Sequence, residues 1–204
     1  MKVLLVGASG TLGRAIHKEL ATRHEIVTAG RTSGDVKLDI TDCGSIEKAL
    51  AQVGQIDAVV SAVGEVTFLP LSEIQAQSLE TSPYALGLKN KLMGQVNLAL
   101  AAQTQLRNGG SITLTSGILS EQPIRAGTSA SMVNGALESF VRAAAIELPR
   151  GLRINVVSPN VFQESMDGYA PFFRGFEAIP VSRAALAFSR SVEGLQTGQV
   201  YKVF

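Results

Sequence analysis

Gly7, Gly10 and Gly13 punctuate the segment Gly7-Ala8-Ser9-Gly10-Thr11-Leu12-Gly13, which follows the apolar run Val3 to Val6 without a break. A strand, a glycine-rich turn and a helix in that order make a seat for a diphosphate. Gly7 permits the sharp turn, Gly10 lets backbone approach the anion, and Gly13 lets the helix lie close to the sheet. The N–H groups at the helix start, around Ser9, Thr11 and Leu12, supply donors, and the helix dipole favours negative charge. A glycine-rich turn without a ligand is the plain alternative. After the second apolar run stands Gly30-Arg31-Thr32-Ser33, where an NAD site usually carries Asp or Glu for the ribose 2′-hydroxyl. An anion suits this sequence better: Arg31 can fork onto a 2′-phosphate and stack on adenine, with the Thr32 and Ser33 hydroxyls as donors. The alternative is a solvated surface arginine. These residues predict NADP(H) over NAD.

Other residues could act on a bound molecule. Ser116 follows the run ending at Thr115, at the C-terminal edge of a strand, where open α/β sheets bind ligands. Its hydroxyl can polarise a carbonyl but is a poor acid. A partly desolvated Lys91 can serve as a cation or proton donor; beside polar Lys89 and Asn90, the commoner fate is a solvated helix face. Glu164 beyond Pro159 is a candidate contact to substrate or cofactor, or a solvated loop carboxylate. Tyr169 to Phe176 gathers much of the aromatic content and reads as an apolar lid or pocket wall with Arg174 as an anion contact, or equally as a cap on the core. His17 and His24 read as surface or packing residues. The lone Cys43 excludes an internal disulfide, and with two histidines it cannot assemble a zinc site, so no metal is expected.

The elements that position these residues alternate. Strands are expected at Val3–Val6, Glu25–Ala29, Asp35–Leu38, Ile56–Ala62, Ser111–Thr115, Arg153–Val157 and Gln199–Val203. Helices are expected at Thr11–Thr22, Ser45–Gln52, Pro83–Leu106, Ser129–Leu148 and Ser182–Ser189. Such alternation predicts a Rossmann-type α/β fold, a doubly wound parallel sheet in one three-layer α/β/α domain spanning 1–204. A chain that is 46% hydrophobic, 5% aromatic and without Trp suits aliphatic parallel strands under Ala-rich helices. Eighteen basic against seventeen acidic residues leave a charge of +1, with no basic cluster for nucleic acid. The first apolar run is too short for a signal peptide or a membrane span, and a cytoplasmic protein is expected.

The residues resemble the short-chain dehydrogenase/reductase superfamily over nearly the whole chain. Leu38-Asp39-Ile40 is similar to the family's acidic motif after the third strand, which accepts from the adenine amino group. Ser61-Ala62-Val63-Gly64 takes the place of its Asn-Asn-Ala-Gly, keeping the final glycine. Gly151 to Pro159 matches the sixth-strand pattern, whose proline lies near the nicotinamide carboxamide, and Thr197-Gly198-Gln199 resembles the C-terminal signature. The resemblance thus adds Asp39, Ile40, Ala62, Val63, Gly64, Pro159 and Val161 to the cofactor-binding set. The glycine spacing is similar to the family's extended and atypical branches.

One departure is chemical. The family's Tyr-x-x-x-Lys falls on Ala130 and Asn134, its catalytic Ser on Gly117 with Ser116 beside it, and its active-site Asn on Lys91. Ala130 has no proton to give, and Asn134 donates a hydrogen bond without charge. The candidate catalytic set becomes Ser116, Lys91 and Asn134. Two functions follow: an NADP(H)-dependent oxidoreductase acting on a small carbonyl or activated alkene, or a non-catalytic NADP(H)-binding sensor. The resemblance also implies a homodimer or homotetramer built through the two long helices.

Overall fold

Val3 and Leu5 point to one face of a pleated strand, Leu4 and Val6 to the other, and all four are buried. A strand covered on both faces belongs in the middle of a parallel sheet. In the computed structural model, which describes residues 1–204, that strand is β1 (Lys2–Val6). It lies between β2 (Glu25–Gly30) and β4 (Ile56–Ser61). With β3 (Val36–Lys37), β5 (Leu106–Thr115), β6 (Arg153–Pro159) and β7 (Val200–Val203), the order is β3-β2-β1-β4-β5-β6-β7, all parallel. The order reverses between β1 and β4, which opens a crevice at their C-terminal ends.

Helices cover both faces. α1 (Thr11–Leu20) and α6 (Val181–Glu193) pack on one side, where Ile16, Leu20 and Phe188 are fully buried against Val3 and Leu5. On the other side lie α2 (Cys43–Val53), α3 (Gln95–Ala102) and α4 (Thr128–Glu147), whose Ile46, Leu98 and Leu137 meet Leu4 and Val59. A short α5 (Met166–Tyr169) lies beyond β6.

The expected helix Pro83–Leu106 is corrected. Helical backbone starts at Ala85, widens into a π-helical stretch at Gly87–Gly94, and ends with α3 at Ala102. Glycine at both ends of the wide stretch permits close packing. A Cβ on Gly87 would meet Ser129 Oγ at 2.9 Å, and one on Gly94 would meet the Ile40 carbonyl at 3.0 Å. Gln95 then anchors the spiral, donating to the Thr115 carbonyl at 2.9 Å and accepting from its N–H at 2.8 Å. β5 starts at Leu106 and not at Ser111, because Gly109 (φ 75°) lets the strand carry an irregularity where its pairing with β4 shifts register. β3 keeps only two of its expected residues.

Gly13 sets how closely α1 approaches β1. A Cβ there would lie 2.0 Å from the Gly7 carbonyl oxygen and 2.8 Å from Ala8 Cα, both backbone atoms. At Gly10 the nearest atom is 3.6 Å away. Gly13→Ala is therefore expected to lose about 1–3 kcal/mol by overpacking, outweighing the gain of about 1 kcal/mol from helix propensity. Gly10→Ala should stay within about 0.5 kcal/mol of wild type. Urea unfolding of both variants checks the contrast.

Candidate functional site

Two adjoining hollows occupy the C-terminal edge of the sheet. The first is a groove of about 280 Å³ over the crevice, bounded by the glycine turn, Arg31 to Ser33, Asp39, Ile40 and Ala62 to Gly64. Gly7 (φ 87°) makes the turn, its N–H given to the Ala29 carbonyl at 2.8 Å. A Cβ on Gly7 would strike Val63 Cγ1 at 2.4 Å. Gly10 caps α1 without a side chain, so no side-chain acceptor takes up the N–H groups of the first turn, which runs through Thr11, Leu12 and Gly13. Ser9 and Gly10 line the groove beside them.

Arg31, Thr32 and Ser33 form an exposed rim. Lys37 adds a second positive charge there, its Nζ donating to the Thr32 carbonyl at 2.5 Å. Asp39 accepts from the Thr41 N–H at 2.9 Å and its hydroxyl at 2.7 Å; these bonds, helped by the charge of Arg31, hold its carboxyl below the usual range.

The second hollow is a cavity of about 470 Å³ that shares Gly10 and Gly64 with the groove. Lys91, Ser116, Asn134, Pro159 and Val161 line it, with Phe68, Tyr169 and Phe173 forming an aromatic side. The structure thus brings Ser116, Lys91 and Asn134 together around one cavity. Lys91 leaves the π-helical stretch over Gly64, where a Cβ would meet its Cγ at 2.6 Å. Its stem is half-buried and its ammonium donates to the Ser116 carbonyl at 3.1 Å. Desolvation pulls this ammonium down to about 8, with the charge of Glu138 acting the other way.

Ser116 is buried and its hydroxyl donates to Glu138 Oε1 at 2.9 Å. That proton is therefore turned away from the cavity, which leaves the oxygen lone pairs for a ligand. Asn134 donates to the Gly117 carbonyl at 3.2 Å, and its own Oδ1 is buried without a partner. Ala130 stands one turn earlier on the same wall. Val161 has its N–H on Asn160 Oδ1 at 2.7 Å and its carbonyl on the Ile179 N–H at 3.0 Å.

Glu164 is corrected: it accepts from the Val181 N–H at 3.0 Å and caps α6, satisfying a helix N-terminus instead of facing a ligand. Arg174 is exposed and does not line the cavity, whereas Tyr169 and Phe173 from the same fragment do. His24 bonds Glu193 at 2.8 Å on the far side of the sheet. Three residues went unnoticed in the sequence. Asn90 is buried and accepts from the Glu65 N–H at 2.9 Å, and Lys37 and Glu138 are the others. For Glu138 a signal existed, since Ala130, Asn134 and Glu138 are spaced by four on one helix face.

A doubly wound parallel sheet with a glycine turn at its switch point defines a Rossmann-type domain. The family described as enoyl-(acyl carrier protein) reductase matches residues 3–199, and the chain belongs to it, within the short-chain dehydrogenase/reductase superfamily of oxidoreductases. L-xylulose reductase of Homo sapiens is 27% identical over 181 residues, covering 81% of this chain and 73% of that protein. Elsinochrome reductase 1 of Elsinoe fawcettii is 29% identical over 191 residues, covering 81% and 70%. Among solved structures, the protein lin1944 from Listeria innocua superposes with a TM-score of 0.95 at 51% identity over the whole of both chains. A small-chain dehydrogenase solved in complex with NADPH shares the fold, with a TM-score of 0.86 at 23% identity over 100% of this chain and 96% of that one.

The Lys91 shift carries a stability consequence. Its folded value near 8 lies below the ordinary 10.5, so the unfolded chain binds the proton more tightly. Stability against unfolding therefore rises with pH between these two values, and the full penalty applies below the lower one. Wild type should therefore gain stability relative to Lys91→Met by on the order of 1–3 kcal/mol as pH rises through that window, because the variant lacks the titrating group. Thermal unfolding of both proteins across the range measures it.

Proposed function

We propose that the chain is an NADP(H)-dependent oxidoreductase with a non-standard active site, acting on a small carbonyl or activated alkene in the cavity beside Lys91. One observation carries this reading: Lys91, its ammonium pulled down to about 8 by desolvation, stands on the wall of a cavity that adjoins the groove and has an aromatic side. A group with that affinity exchanges protons at ordinary working pH.

The groove fits the cofactor. Packing within the chain accounts for Gly7 and Gly13 but leaves Gly10 unexplained, since a Cβ there meets only one atom, at 3.6 Å. A glycine at that point suits a diphosphate lying against the backbone. Gly7, Ser9, Gly10, Thr11, Leu12 and Gly13 would hold the diphosphate, with Arg31, Thr32 and Ser33 on the 2′-phosphate. Asp39 and Ile40 would hold adenine, Ala62, Val63 and Gly64 the middle of the molecule, and Pro159 and Val161 the nicotinamide end. The absence of a carboxylate at the rim after β2 favours NADP(H) over NAD, and the related fold solved with NADPH agrees. Bound there, the cofactor supplies a hydride.

The chain's own part is the proton. Lys91 gives it to the oxygen of a carbonyl that takes hydride at its carbon, or to the α-carbon of an enone that takes hydride at its β-carbon, and is recharged from solvent. Ser116, its own proton on Glu138, accepts from the hydroxyl that forms when a carbonyl is reduced, and Asn134 keeps the Gly117 backbone in place. Ala130 and Asn134 stand where the resemblance puts Tyr and Lys, and this also favours a second reading, a non-catalytic NADP(H)-binding sensor. A homodimer or homotetramer through α3 and α4 belongs to the proposal, supported by a cleft lined by Leu100, Phe140 and Ala144 with Leu100 52% exposed. Cytoplasmic residence belongs to it too.

Calorimetry with NADPH and NADH, followed by cofactor absorbance against a panel of carbonyls and enones, tests both readings. Wild type should prefer NADPH, and Arg31→Ala should lose roughly tenfold or more of that preference. Lys91→Met should lower kcat by about a hundredfold or more, and Ser116→Ala by less. Tight NADPH binding without turnover across the panel would favour the sensor. No binding of either nucleotide would sink the proposal.

A further inference from the structure

Glu138 has no part in the chemistry proposed above, yet it is buried beside it, 5% exposed in the middle of α4. A carboxylate so placed is costly unless it is paired and hydrogen-bonded. Two hydroxyls compensate it: Ser116 donates to its Oε1 at 2.9 Å and Ser120 at 2.8 Å. Both donors come from the segment after β5, where Ile118–Ser120 forms a 3₁₀ turn. Ser116 is thus held at two points, because its carbonyl takes the Lys91 ammonium at 3.1 Å while its hydroxyl is fixed on Glu138.

We propose, resting on the assignment of Lys91 as proton donor, that Glu138 is the positioning residue of the site: it fixes Ser116, on which Lys91 leans, and serves as the buried counter-ion of Lys91. The surroundings single it out. Lys91 is the only charged side chain on the cavity wall, and Tyr169 faces the same cavity from α5. Glu65 follows Gly64, against which the Lys91 stem packs, and Lys89 lies on the stretch that carries Lys91. Of these groups, Glu138 is the one whose charge acts on Lys91, and it acts to keep the ammonium protonated. A carboxylate in this role lets a desolvated lysine still carry a proton near neutral pH, where an isolated one would lose it.

Glu138→Gln separates charge from shape, since the amide oxygen can still accept from the serines. The readout is carbon NMR of lysine-labelled protein without cofactor, with the Lys91 signal identified by its loss in Lys91→Met. The Lys91 midpoint is expected to fall by about one pH unit in Glu138→Gln. Glu138→Asp draws the charge back by one methylene and should lower the Lys91 midpoint by a smaller amount; that arm decides the matter if Glu138→Gln does not fold. A residue that only braced α4 would leave the Lys91 midpoint where it is in both variants, and that result overturns the pairing. Neither arm needs cofactor or substrate. A protein that shows the coupling but turns over no substrate therefore refutes the reductase reading alone, whereas turnover without the coupling refutes only the role of Glu138.

Discussion

The approach of α1 to the end of β1 is the constraint from which the rest of the binding edge follows. With no side chain at Gly13, the first turn of the helix rests on the Gly7 carbonyl, so its unpaired N–H groups open over the crevice between β1 and β4. The far end of the helix fixes its direction. Ile16 and Leu20 are fully buried against α6 and the sheet, and Arg23 and His24 share Glu193 on α6. Burying each aliphatic contributes about 1.5–3 kcal/mol, whereas an ion pair at the surface is screened by solvent. Packing therefore orients the helix, and the charges trim its end. The donors at the anion seat are held in place by residues that never touch the groove.

The second hollow depends on a different compromise, the burial of a cation. Lys91 can enter the cavity because Gly64 leaves room for its stem and because the π-helical stretch turns two successive polar residues inward. Asn90 secures the Glu65 backbone on one side, and Lys91 crosses to Ser116 on the other. π-helical turns interrupt regular geometry and recur at functional sites. Here the local cost is offset by Gln95, whose side-chain amide makes both backbone bonds with Thr115 and ties the widened stretch to the end of β5.

Much of this was legible in the sequence. Aliphatic runs separated by amphipathic stretches announce a parallel sheet, and the glycine turn marks its binding edge before any coordinate is known. The Pro83–Leu106 segment shows where such reading stops. Composition there favours a helix throughout, but a widened turn depends on contacts from Ile40 and Ser129, far away in the chain. Similarly, the apolar run resumes at Ser111, yet the pairing of Leu106 with Ile56, on the near side of a register shift, starts β5 five residues earlier. Glu164 reads as a ligand contact or a solvated loop carboxylate because its partner, the start of α6, lies 17 residues downstream and folds back onto it. Glu138 shares the helical phase of Val133 and Leu137 on the buried face of α4, but two serines across space make its burial tolerable. Periodicity identifies a face; it does not identify what the face will meet.

In the proposed reading, the site works without the phenol and lysine that the family resemblance leads one to expect on α4. Ala130 is buried in a small cluster with Ile118, Leu119, Val161 and Phe173, so the space near its Cβ belongs to the apolar wall and its aromatic neighbours. A larger polar residue there would have to displace Phe173 or intrude on the cavity. In the proposed chemistry the proton source instead comes from the opposite side, on the π-helical stretch, and reaches the same end of β5. Asn134 fits this exchange, since its amide supports the Gly117 carbonyl while the neighbouring Ser116 carbonyl receives Lys91. Two successive carbonyls at the end of one strand thus hold side chains from two different helices. In that chemistry the positive charge sits on the facing element, and Glu138, one turn beyond Asn134 on α4, balances it.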